Sequence, residues 1–120
     1  MKKEIKRDIH TLDANGKTPG RLATHVAHLL MGKHRASFVP NVDAGDHVQV
    51  LNAAKMHVTG KKLAQKVYTR HTTYGHGLRV TPLSAVWSKD PADALRRAVS
   101  RMLPKNSFRK ERLKRFVVKN

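Results

Sequence analysis

The fold turns on residues 18–53, TPGRLATHVAHLLMGKHRASFVPNVDAGDHVQVLNA. Thr18 reads as a helix N-cap, with Pro19 at the first helical position, where a missing N–H costs nothing. Leu22, Ala23, Val26, Ala27, Leu29 and Leu30 recur at three- and four-residue spacing, which predicts an amphipathic helix stopped by Gly32. Residues 32–46 carry turn residues and read as a loop, whereas HVQVLNA (47–53) alternates and predicts a strand. Upstream, DIHTLDA (8–14) predicts another strand and NGKT a turn. Strand, helix and strand of these lengths predict a parallel pair joined by a right-handed crossover.

Downstream the signals are shorter. KMHVTGKK predicts an extended piece ending in a turn near Gly60, KVYTRHT (66–72) a strand or extended segment, and YGHG (74–77) a loop. TPLSAVWS (81–88) reads as a short helix from a Thr cap and a Pro start. Asp90-Pro91 repeats that logic for a better helix, with Ala94, Leu95, Ala98, Val99 and Met102 on its apolar face and Arg96, Arg97 and Arg101 off it, ended by Pro104. RFVVK (115–119) predicts a last strand. No repeat, low-complexity tract or linker divides the chain, so its 120 residues read as one domain, 1–120.

The charge is far from balanced. The formal net charge is +17, well beyond what solubility needs. Residues 47–89 contain no acid, and residues 96–120 hold ten Lys/Arg against Glu111 alone. Such self-repulsion destabilises a compact chain unless a polyanion neutralises it. Both good helices need their apolar faces for a core, which argues against a membrane-surface role. No run approaches the 18 apolar residues of a membrane-spanning helix, and the basic start MKKEIKRDIH is followed by no apolar region of a secretory signal. There is no cysteine, which excludes disulfides and thiolate chemistry.

Enzyme readings fare poorly. A phosphate-binding P-loop needs G-x-x-x-x-G-K-[ST]. Around Gly60 the first glycine falls at Lys55 and the Ser/Thr at Lys62; around Gly32 they fall at Ala27 and His34. Gly16 and Gly20 do not form a dinucleotide fingerprint. His25 and His28 share a helical face but lack a carboxylate nearby in sequence, and they read as polar helix positions. Asp13, Asp43 and Asp46 could hold a magnesium ion but read more simply as cap and turn residues. Instead, Gly60 permits a tight turn that projects Lys61 and Lys62 toward phosphates, followed by Lys66, Tyr68, Arg70 and His71. Alternation places Lys66, Tyr68 and Arg70 on one side, with Tyr68 either stacked on a base or half-buried in a core.

Several elements then occur in a specific order: Gly20-Arg21-Leu22-Ala23, Gly32-Lys33-His34, PNVDAGD (40–46), Asn52-Ala53, Val58-Thr59-Gly60-Lys61-Lys62, Lys66-Val67-Tyr68 with His71, and Met102-Leu103-Pro104-Lys105. Together, from about Asp8 to Asn106, they resemble the L-thirteen family of large-subunit ribosomal proteins of the bacterial type. The sequence departs from that pattern with Pro19 in place of a usual Leu, Thr73 in place of a common glycine, and NSFRKERLKRFVVKN after Pro-Lys.

The resemblance implies an α/β fold, three-layer α/β/α around a small, mostly parallel sheet, with basic loops and a basic C-terminal tail. It implies a non-catalytic constituent of the large subunit that binds and organises its rRNA during assembly and supports translation. Carried over by position, the RNA contacts are Arg21, Lys33, His34, Arg35, Lys61, Lys62, Lys66, Tyr68, Arg70, His71 and Lys105; Arg109 and Lys110, in the basic tail beyond the resemblance, are expected contacts as well. Partners would be large-subunit rRNA and neighbouring ribosomal proteins. No cofactor, metal, membrane or small-molecule substrate is expected, and the location would be the cytoplasmic ribosome. Residues 1–7 and 105–120 are expected as extended or RNA-ordered segments. The alternative is a general nucleic-acid binder of the nucleoid or RNA-chaperone type.

Overall fold

A computed structural model describes residues 4–120. Its centre is a parallel three-stranded sheet, β1 (Ile9–Asp13), β2 (His47–Leu51) and β5 (Phe116–Val118), in the order β1-β2-β5. Ile9 pairs with His47 and Asp13 with Leu51 on one side of β2; Val48 pairs with Phe116 and Val50 with Val118 on the other. The parallel pairing expected of the first two strands is therefore present. Helix α1 (Pro19–Met31) connects them, starting after Thr18 and ending at Gly32, whose N–H bonds the Leu29 carbonyl at 3.3 Å.

The periodicity of α1 has its expected consequence. Leu22, Ala23, Val26, Ala27, Leu29 and Leu30 are all buried. They form one core with Val48 and Val50 of β2, Phe116 and Val118 of β5, and Leu95 and Val99 of helix α4 (Pro91–Met102). α4 begins at Asp90, whose carboxylate accepts the Ala92 N–H at 3.1 Å. A second, smaller core joins Tyr68, Leu83, Val86 and Ala94, and Trp87 packs against both.

Beside the sheet stands a separate antiparallel ribbon of β3 (Val67–His71) and β4 (Leu78–Pro82). β4 was not expected. Thr81, read as a helix cap, instead pairs with Tyr68 in the ribbon, and the short helix α3 starts later (Leu83–Lys89). A four-residue helix, α2 (Lys62–Gln65), leads into β3.

The C-terminal segment holds the expected last strand and one helix that was not expected. Residues 4–8 carry no helix or strand, and residues 1–3 lie outside the described residues. In residues 105–120 the unexpected helix α5 (Phe108–Lys114) precedes β5, the last strand expected at 115–119, which occupies a side of the central strand. The reason is burial of Phe116 and Val118 against the main core and of Arg112 and Arg115 on an internal carboxylate.

Candidate nucleic-acid interface

The loop 32–46 is held by two carboxylates. Asp46 is fully buried, with 0% of its surface exposed. Its Oδ2 accepts from His10 Nε2 at 2.8 Å and His34 Nε2 at 2.7 Å, in the tautomers that carry those protons. Its Oδ1 receives the Asp8 amide at 3.2 Å and the Arg35 guanidinium. Burial alone would raise this carboxyl; the bonds from His10, Asp8 and His34 and the charge of Arg35 outweigh it and hold the group at about 2. Asp43 holds Arg115 through two bonds of 2.8 Å and Arg112 at 3.3 Å. Burial opposes its ionisation, but these two arginines keep its pKa below the ordinary value.

Asp43 and Asp46 are therefore ionic hubs rather than simple turn residues. His34 and Arg35 bond the buried Asp46 from the surface, each side chain about a quarter exposed. Both hold the loop through that carboxylate. His10, His34 and Asp46 also offer ligand atoms within 4.8 Å of one another. Both oxygens of that carboxylate are already engaged, one of them by a guanidinium, so an ion would have to compete with a bound cationic side chain.

Of the two readings of Tyr68, the structure takes the core one. Only 7% of it is exposed, within the smaller core. The Arg97 and Arg101 guanidinium carbons lie 4.7 and 5.3 Å from its ring centroid, and Lys66 Nζ lies at 5.5 Å. The ring, so little exposed, offers a base little free surface. The ring instead gathers cations, an attraction strengthened by partial desolvation.

The remaining expected contacts lie at the surface. Arg21, Lys33, Lys61, Lys62, Lys66, Arg70, His71, Lys105 and Lys110 are exposed, and Arg109 is half-buried. None forms an ion pair among the described residues, whose carboxylates pair instead with Arg35, Arg96, Arg97, Arg112, Lys114, Arg115, His10 and His34. Gly60 adopts φ +61° in the turn before Lys61, a region that an L side chain enters with strain. Arg70 lies directly opposite Arg79 in the ribbon, a like-charge pair that destabilises the free protein.

Three of these residues converge on a cleft of about 780 Å³. Its rim carries Arg21 from α1, Lys62 from α2 and Lys66 before β3, together with Arg101 from α4 and His57. Its floor contains Leu83, Trp87, Ala98 and Met102, and no acidic residue lines it. A shallower groove of about 480 Å³ carries Arg96, Arg97, Arg101 and Arg109. There Arg109 donates to Ser100 Oγ at 2.9 Å while its buried Nε has no partner. Lys33, Lys61, Arg70, His71, Lys105 and Lys110 line neither recess.

The sequence reading missed Arg79, Arg101 and His57. Arg97 and Arg101 stand four apart on α4, so helical spacing could have placed them together. Arg79 and His57 carried no comparable signal, because their neighbours are set by strand pairing and chain reversal.

The profile of the Ribosomal protein L13 family matches residues 7–118. A large ribosomal subunit protein uL13 from Persephonella marina is 50% identical over 117 residues, 98% of this chain and 78% of the relative. The one from Chloroflexus aurantiacus is 50% identical over 103 residues, 86% of this chain and 72% of its own. That from Geobacillus kaustophilus is 47% identical over 115 residues, 96% and 79% respectively. With such similarity along nearly its whole length, the chain belongs to the ribosomal protein L13 family, a structural and non-enzymatic component of the ribosome.

Proposed function

We propose that this protein is a structural constituent of the large ribosomal subunit that binds and organises large-subunit rRNA during assembly and supports translation. The observation that carries the reading is the segregation of charge. The acids are largely consumed in internal or local ion pairs, leaving Arg21, Lys61, Lys62, Lys66, Arg70, Arg79 and Arg101 without anionic partners among the described residues. Phosphates of converging RNA helices supply the missing negative charge. No described helix is long and apolar enough to cross a membrane. Neighbouring large-subunit proteins and the cytoplasmic ribosome belong to the same proposal.

The test is sedimentation of the tagged chain from its native lysate through a high-salt sucrose gradient. Co-migration with the large subunit is the expected result. Protein left at the top would overturn the reading. With isolated rRNA, log affinity should fall with log salt by roughly 0.7–0.9 per phosphate contacted. Lys61→Glu with Lys62→Glu should lower that affinity without lowering thermal stability, because the turn is exposed; retained affinity would move the interface away from this turn.

A further inference from the structure

We propose that the cleft between α1, residues 57–59 and the α3–α4 pair receives the base of one unpaired RNA nucleotide, its flanking phosphates resting on Arg21, Lys62, Lys66 and Arg101. This rests on the RNA-binding reading and makes it specific. Phosphate binding alone explains the rim but not the floor. Leu83, Trp87, Ala98 and Met102 offer apolar surface beneath a ring of cations, and Met102 is 42% exposed. The guest must therefore be apolar in its body and anionic at its edges.

A splayed nucleotide has that chemistry, whereas a paired base keeps its faces inside the duplex stack. The volume of about 780 Å³ falls within the range of small-molecule sites, about 300–1,000 Å³. No carboxylate lines the cleft to repel the phosphates. The Arg101 guanidinium, held 5.3 Å from the buried Tyr68 ring, presents a planar cation on which a base can stack. Tyr68 itself lines the cleft, holding the arginine while offering a base little exposed surface.

The protein supplies its own probe, since Trp87 is its single tryptophan and lines the cleft. The full chain is titrated with a fully paired RNA hairpin, the same hairpin with one bulged nucleotide, and adenosine monophosphate, while Trp87 emission is recorded. The bulged hairpin should bind about tenfold tighter than the paired one, as expected for one stacked base, and it alone should change the emission. Thr59→Phe, which narrows the cleft from its exposed edge, and Ala98→Phe, which fills its floor, should both abolish that difference while leaving binding of the paired hairpin intact. The exposed-edge variant keeps the test valid if the floor variant does not fold. Equal affinity for both hairpins with silent Trp87 would overturn the cleft proposal and leave the RNA reading standing. Failure of both hairpins to bind would overturn both. An emission change with adenosine monophosphate at the same concentration as the bulged hairpin would assign the cleft to a free nucleotide and overturn it as an RNA site.

Discussion

At Asp46 one carboxylate draws together residues 8, 10, 34 and 35. Removing its charge leaves the partly buried Arg35 with only the exposed Asp8 carboxylate at 3.6 Å, and loss of one partner of a buried ion pair is strongly destabilising. Asp46→Asn should therefore cost about 3 kcal/mol by urea denaturation at pH 7. The pH dependence follows from the direction of the shift. The folded carboxyl titrates at about 2, the unfolded one near ~4. Its stabilisation is whole above the unfolded value and is lost as pH falls through the folded one. The contribution is about 2 kcal/mol. Stability curves measured from pH 5 to pH 2 should fall less steeply in Asp46→Asn; an unchanged slope would remove Asp46 from this role. Gly45 is a steric counterpart. A Cβ there would stand 1.7 Å from the Leu30 carbonyl oxygen, so Gly45→Ala must push the loop off the end of α1. A loss of at least ~2 kcal/mol is expected, readable as a lowered Tm.

Among elements, the ribbon and the C-terminal segment behave oppositely. An isolated two-stranded ribbon is marginal in water, and β3–β4 is anchored through buried Tyr68 while Val67, Leu78 and Val80 remain exposed. Arg70 opposite Arg79 weakens it further. Arg79→Thr should raise the thermal stability of the free protein by about 0.5 kcal/mol and lower its affinity for RNA. Changes of the same sign in both measurements would show that the pair does not exchange stability for phosphate binding. By contrast, β5 is built into the parallel sheet, with Phe116 and Val118 buried. Val118→Asp should unfold α5 and β5 together, seen as loss of amide-exchange protection across both. A loss confined to residue 118 and its neighbours would show that the two elements are independent.

At the scale of the molecule, charge and shape point the same way. The radius of gyration is 16.0 Å, against about 14 Å for a compact chain of this length. An extended, basic body presents more surface to a polyanion than a sphere would. Because exposed cations repel one another in the free protein, added salt should raise its Tm by screening. The same salt should weaken RNA binding by counterion competition. Opposite responses, measured by calorimetry and filter binding in one buffer series, would identify self-repulsion as the common cause; a Tm indifferent to salt would show that the repulsion is already relieved within the fold.

The sequence by itself determined the first strand–helix–strand unit, the α4 cap at Asp90 and the excess of positive charge. Those features depend on local spacing: Leu22 to Leu30 repeat with the helical period, Val48 and Val50 with that of a strand, and the lack of acids in 47–89 needs no coordinates. The exposure of Arg21, Lys61 and Lys62 was legible too, since they stand off the apolar repeats. Only the tertiary structure decided that Asp43 meets Arg112 and Arg115, about 70 residues away, or that His34 and Arg35 turn inward to Asp46. It also decided that Tyr68 is buried beneath Arg97 and Arg101, and that the basic tail forms a helix before its last strand. The physical reason is common to all of these. Whether a charged or aromatic side chain faces water or an internal partner depends on what distant parts of the chain bring beside it, and local spacing carries no record of that.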